Sequence, residues 1–277
     1  MILKELINSL YNDSSNFNSE DFNFISKELI EGLNSGKIRS ADKNENSEWF
    51  VNDWVKKGIL LLFKYGNLVD YSINKNFNFF DKHTLPTRNF QIENNVRIVP
   101  GGSSIRTGSY IAPGVICMPP MYINIGAYVD EGTMIDSHAL VGTCAQIGKR
   151  VHLSAASQIG GVLEPPNARP VIVEDDVMIG GNCGIYEGTL IRKRAVLGSG
   201  VVITSSTKIF DLVQERIIKA EEGKPVEIPE GAVVVPGARK INTPFAAEYG
   251  LSISSPIIIK YRDEKTDSKT ALEDYLR

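Results

Sequence analysis

The sequence predicts a mainly β chain: a left-handed parallel β-helix, built as a solenoid of hexapeptide repeats, with an N-terminal α-helical domain and a small C-terminal β/α cap. The first supporting observation is a column at a step of six, from Val99 through Ile105, Ile111, Cys117, Ile123, Val129, Ile135, Val141, Ile147 and Leu153 to Ile159. It resumes at Val173 and runs through Ile179, Ile185, Ile191, Leu197 and Ile203 to Ile209. The second is a column of small or modestly apolar residues four places later, including Ala127, Thr133, Ala139, Ala145 and Ser157. The third is glycine near the column, as at Gly126, Gly142, Gly148, Gly160, Gly180 and Gly198.

A triangular solenoid explains all three. Each six-residue unit is a short strand plus a turn, and three units close a coil. The aliphatic residue points inward, the small residue packs beside the next corner, and glycine tolerates the corner backbone. Such coils are an exception to the usual right-handed parallel crossover. A sandwich or ordinary barrel would instead show alternation at period two, with turns about every 8–12 residues.

Residues 1–92 precede the solenoid and carry helical patterns at Ile2 to Leu10, Asp21 to Leu33 and Asp53 to Tyr65, separated by Asn, Ser and Gly clusters. The solenoid is expected over 93–210. The segment 211–277 then reads as a polar excursion with a hairpin, strands in AVVVPGA and SISSPIIIKYRD, and a terminal helix in TALEDYLR. A covering element is expected there, because the last coil otherwise leaves its strand edges open. Between Ile159 and Val173 the phase slips by two, and the prolines and asparagine of Glu164 to Pro170 predict a mobile loop.

A net charge of −3 with 42% hydrophobic residues gives no electrostatic footprint for nucleic acid or an anionic membrane. No stretch approaches the roughly 18 apolar residues of a spanning helix, and the N-terminus lacks the form of a secretory signal. Cys117, Cys144 and Cys183 form no paired spacing and suit a reducing compartment, so the cytoplasm is expected. Cys117 and Cys183 fall in inward columns, and Cys144 reads as a small outward filler.

The segments INIGAYVDEGTMID (Ile123 to Asp136), GTCAQIGKRVHLS and GGVLEPP, with DWVKKGILLLF before them and VIVEDDVMIGG after, resemble the tetrahydrodipicolinate N-succinyltransferases of bacterial lysine biosynthesis. The resemblance covers most of the chain and is weakest over 1–45 and 211–231. It implies transfer of succinyl from succinyl-CoA to the amine of ring-opened tetrahydrodipicolinate, in a homotrimer with sites shared between subunits. Succinyl-CoA would be a co-substrate, with no permanently bound cofactor and no metal.

The resemblance also assigns residues. Arg97, in NVRIVPGG, falls on the arginine for a substrate carboxylate, a task suited to a bidentate guanidinium. The bland reading is an arginine capping the first coil. Asp136 falls on the substrate-contacting acid; it follows the inward Ile135, so alternation turns it outward, where it would hold and deprotonate the amine. Gly184 stands where family members have a second glutamate. Glu187, in IYEG at a repeat turn, is a weak substitute with a structural reading at least as strong. Lys260, in IIIKYRD, is a weak candidate for the CoA phosphates against a plain surface lysine.

His138 and His152, the latter placed at a corner, read as packing residues, and His83 lies outside the repeats, so a three-histidine zinc site is disfavoured. The rival functions are a tetrahydrodipicolinate N-acetyltransferase and a non-catalytic solenoid scaffold.

Overall fold

A computed structural model describes residues 2–221 and 223–263. Its N-terminal part is built on α1 (Ile2–Asn12), α2 (Ser19–Asn34) and α3 (Asp53–Tyr65). The Asn18 side chain accepts the Glu20 N–H to start α2, and Glu20 and Asp21 complement the positive end of the helix dipole. Apolar residues at helical spacing close one core: Ile7 and Leu10, then Ile25 and Leu29, then Val55, Ile59 and Leu62. Gly58 permits the close crossing, since a Cβ there would lie 2.6 Å from Leu29 Cδ2 and 2.9 Å from Ile7 Cδ1.

This core does not end with the helices. It takes in Ile125 and Cys144 from the solenoid, so the outward filler position of Cys144 is fully buried beneath the helical layer. That burial pushes the Cys144 thiol up to about 11. Two short antiparallel hairpins, which the sequence did not announce, join this part: Ala41–Lys43 with Trp49–Val51, and Leu68–Asp70 with Phe80–Lys82.

From Arg97 the chain winds through three parallel sheets in turn. One coil reads Met134–Ile135 in the first sheet, Leu140–Val141 in the second and Gln146–Ile147 in the third. The next coil then lays His152–Leu153 beside Met134–Ile135. Within the third sheet Tyr110 pairs with Tyr128 and Tyr128 with Gln146, so a regular coil is eighteen residues. The aliphatic column and its small companion are the solenoid core.

Four readings of the sequence change here. The first coil places Ile98, not Val99, opposite Cys117, because the turn after it holds one extra residue. The slip between Ile159 and Val173 is a single step from the second sheet to the third with eight extra residues, since Gln158–Ile159 precedes Ile172–Val173 directly. A remainder of eight and a remainder of two look alike at period six.

The glycines, thirdly, have two duties. Positive φ falls three residues after the column, on Gly108, Gly114, Gly126 and Gly132, but equally on His138, Cys144, Ala156, Asp176 and Asn182. Glycines directly after the column, such as Gly180, meet another demand: a Cβ there would lie 2.5 Å from Ser199 N and 2.7 Å from Leu197 O of the next coil. Finally, His152 lies on a strand, in register with Met134 and Met178, rather than at a corner.

After Val202–Ile203 the chain leaves the stack through Ile209–Asp211, whose antiparallel partner is Arg216–Ile218. Ile209 remains in the solenoid core, but the third sheet is continued by Glu227–Ile228, which pairs with Leu190–Ile191. Ala232–Val235 then extends the first sheet, and Ile257–Tyr261 runs antiparallel against it. The column pattern thus returns at Ile228 and Val234, with Val226 and Ala232 as its small companions, all buried. A short helix, Pro244–Glu248, precedes the final strands. The terminal helix expected in TALEDYLR lies outside the described residues.

Candidate active site

The outer faces of the three sheets differ. The third is covered: Gln146, Ile172 and Leu190 are buried on its outward row, and the hairpin carrying Ala41 and Trp49 packs on the last two. Glu174 anchors that hairpin, accepting from Trp49 Nε1 at 2.9 Å and Lys43 Nζ at 3.0 Å, with Arg192 at 3.5 Å. Burial alone would raise its carboxyl, but the Trp49 and Lys43 donors hold it below the ordinary value. The outward rows of the first and second sheets stay partly open, at Met134 and His152 and at Tyr122, Leu140 and Gln158.

Asp136 leaves the first sheet toward the second. One carboxylate oxygen accepts the Ser137 N–H at 2.7 Å, and the other faces His152 Nε2 at 3.9 Å. A third of the side chain is exposed, so the group is oriented yet reachable. Arg97 lies on the outward row of the same sheet, two strands away along the order Arg97, Ile116, Met134, and is exposed. Two strand spacings are about 10 Å.

On another side, a cleft of about 1270 Å³ opens where the second sheet turns into the third. Its walls are the Trp49 hairpin, the eight-residue insertion, the corner at Tyr186 and Glu187, and Lys219, Ala220, Lys224 and Pro225 of the excursion. Arg169 organises the floor. Its Nε donates to Gly188 O at 2.8 Å, one Nη to Glu227 at 2.7 Å and the other to Pro225 O at 3.3 Å. Glu227 also takes Arg192 at 3.0 Å; burial opposes its ionisation, and the two guanidinium donors keep its carboxyl below the ordinary value.

The structure therefore separates the residues singled out by sequence. Arg97 and Asp136 share the first sheet. Glu187 lines the cleft at positive φ and accepts the Ser205 N–H at 2.5 Å, which holds its carboxyl below the usual value. Lys260 joins neither group: its ammonium is paired with Asp263, 3.0 Å to each oxygen. Gly184 is occupied from above. A Cβ there would meet Tyr186 Cε2 at 2.6 Å and its hydroxyl oxygen at 2.9 Å, and Tyr186 also covers Gly160.

Sequence reasoning missed Tyr186, Arg169 and Arg192. Their roles come from contacts distant in sequence, such as Arg169 with Glu227 and Arg192 with Glu174. Among the described residues no group of three or more His, Cys, Asp or Glu gathers as metal ligands, and no helix is long and apolar enough to cross a membrane.

Comparison with known proteins fixes the lineage. A 2,3,4,5-tetrahydropyridine-2,6-dicarboxylate N-succinyltransferase of Variovorax paradoxus is 40% identical over 285 residues, spanning 99% of this chain and 98% of the relative. The chain belongs to that succinyltransferase family. The family's members from Histophilus somni (43% identical, 90% of this chain and 87% of the relative) and Bartonella bacilliformis (39%, 99% and 98%) agree. The model for the tetrahydrodipicolinate N-succinyltransferase N-terminal region matches residues 2–65, and the hexapeptide repeat of succinyl-transferase matches 170–205. Membership accords with a mainly β, left-handed β-helix behind a helical N-terminal region.

Proposed function

We propose that this chain transfers succinyl from succinyl-CoA to the amine of ring-opened 2,3,4,5-tetrahydropyridine-2,6-dicarboxylate, giving N-succinyl-2-amino-6-oxopimelate and CoA in lysine and diaminopimelate biosynthesis. The observation that carries this is the near-complete relationship to the succinyltransferases, which includes the helical region and not the repeat alone. The amine nitrogen attacks the thioester carbonyl, the C–S bond breaks, and the sulfur departs as a thiolate that is then protonated. Asp136 accepts the amine proton, and the Ser137 N–H donated to one of its oxygens keeps the carboxylate aimed. Arg97, two strands away on the outward row of the same sheet, takes a carboxylate of the acceptor.

The acyl donor lies in the cleft, with the insertion as its wall. Because Asp136 and the cleft occupy different corners of one solenoid, a complete site brings the open first sheet of one copy to the cleft of another, as in a homotrimer. The Glu187 carboxylate serves the turn through Ser205 and forms the cleft rim. Three buried, unpaired cysteines suit the cytoplasm.

Initial rates of thiol release with succinyl-CoA and with acetyl-CoA, each with tetrahydrodipicolinate, test the proposal. A succinyl preference of about tenfold or more in kcat/KM is expected, since a site that pairs the distal carboxylate discriminates strongly. A preference for acetyl-CoA, or no thiol released, overturns it.

A further inference from the structure

Lys56 is the largest fully buried side chain of the chain's described part, and its head group is charged in water. Burial is costly for an ammonium and drives its proton affinity down. Its Nζ donates at 2.5 Å to the Ala168 carbonyl, which belongs to the eight-residue insertion. The next residue, Arg169, grips the Gly188 and Pro225 carbonyls and the Glu227 carboxylate from the opposite side. Ala168 and Arg169 both line the cleft. The sequence predicts a mobile loop here, but its second half is fastened on two sides, to α3 by Lys56 and to the solenoid corner and excursion by Arg169.

We infer that Lys56 is a positioning residue for the acyl donor: from the N-terminal helical layer, it fixes the Ala168–Arg169 wall at the spacing the donor needs. The inference rests on the reading that the cleft takes the donor. Its logic is one of pre-organisation. An insertion of this length has many conformers, and two bolts at adjacent residues remove most of them before the donor arrives. The helical domain thereby gains a role in catalysis while contributing no group to the chemistry.

The test compares Lys56→Met with Ser205→Trp, which fills the cleft from an exposed position. Lys56→Met keeps the length of the side chain and removes the bolt. The expected result is a donor KM raised about tenfold, as befits loss of one charge-assisted hydrogen bond, with kcat changed less than about twofold. The acceptor KM and the thermal midpoint stay near wild type, and amides of 163–169 exchange faster. A purely structural role would lower the active fraction, hence kcat and midpoint, and leave the donor KM alone; that pattern overturns the inference.

Ser205→Trp separates the two layers of the argument. If it raises the donor KM and Lys56→Met does not, the inference falls and the cleft assignment stands. If neither moves the donor KM, the cleft assignment falls, and the inference with it. Should Lys56→Met fail to fold, Arg169→Gln cuts the other half of the bolt, and an unmoved donor KM there also overturns the proposal.

Discussion

Two kinds of glycine position in one solenoid lead to opposite expectations for exchanging glycine and alanine. Gly180 follows a column residue without positive φ, and a Cβ there would lie 2.5 Å from Ser199 N and 2.7 Å from Leu197 O. Both obstacles are backbone of the next coil, so relief requires displacing a stack rather than turning a side chain. Overpacking of this kind costs about 3 kcal/mol, the upper part of the usual range. With about 2–4 °C per kcal/mol for a chain of this size, Gly180→Ala lowers the thermal midpoint by about 6–12 °C.

Ala156 holds φ +58 at a corner, where its Cβ is strained. Relief of about 1–2 kcal/mol on changing it to glycine is offset by about 0.5–1 kcal/mol of added unfolded-state entropy. Ala156→Gly therefore leaves the midpoint unchanged or raises it by up to about 6 °C. Both variants are melted at one protein concentration, because assembly makes the midpoint concentration-dependent. A harmless Gly180→Ala together with a strongly destabilising Ala156→Gly would refute the division of duties.

Asp136→Asn keeps a carbonyl oxygen for the Ser137 N–H and loses the base, so kcat falls about 10²–10⁴-fold with little change in midpoint; mixing it with Ser205→Trp subunits restores activity at about a quarter of sites if each site spans two chains. Glu174→Gln is expected to destabilise the docked hairpin by about 1–3 kcal/mol at neutral pH, read from the midpoint or from exchange at Trp49. Because the folded carboxyl of Glu174 is depressed from 4.5, its stabilisation is present above that pH and fades as pH falls through the lower folded value, so the variant shows a flatter acid limb. Lys260→Ala leaves the donor KM within about twofold, since an exposed pair such as that with Asp263 contributes little and its ammonium is already engaged.

The fold was legible because a column at fixed period is a one-dimensional record of a stacked core. What the period hides is anything congruent with it. Eight inserted residues before Val173 look like two, and the return of the pattern at Val226, Ile228, Ala232 and Val234 is masked by the excursion after Ile203. The three helices were readable from apolar spacing, but their docking on Cys144 and Ile125 was not, because the solenoid half of that core looks like ordinary corner sequence. Tertiary contact, not local pattern, decides whether an outward residue sees water.

The site shows the same boundary from the chemical side. The outward position of Asp136 is legible because alternation beside Ile135 turns it away from the core, a local consequence of strand geometry. Lys56 is not, because its meaning lies in a carbonyl 112 residues away and a lysine in an apolar helix stretch looks like part of the solvated face. Gly184 stands between these cases. Its lack of a side chain reads as an omission in sequence, yet in space Tyr186 lies over it and leaves no room for a larger residue unless the ring moves. A carboxylate restored at 184 alone would therefore meet the ring before it met a substrate, so a gain of rate requires Tyr186 to change with it. The absence of the acid is a property of the pair, and the cleft is shaped by an aromatic wall where the family resemblance places a charge.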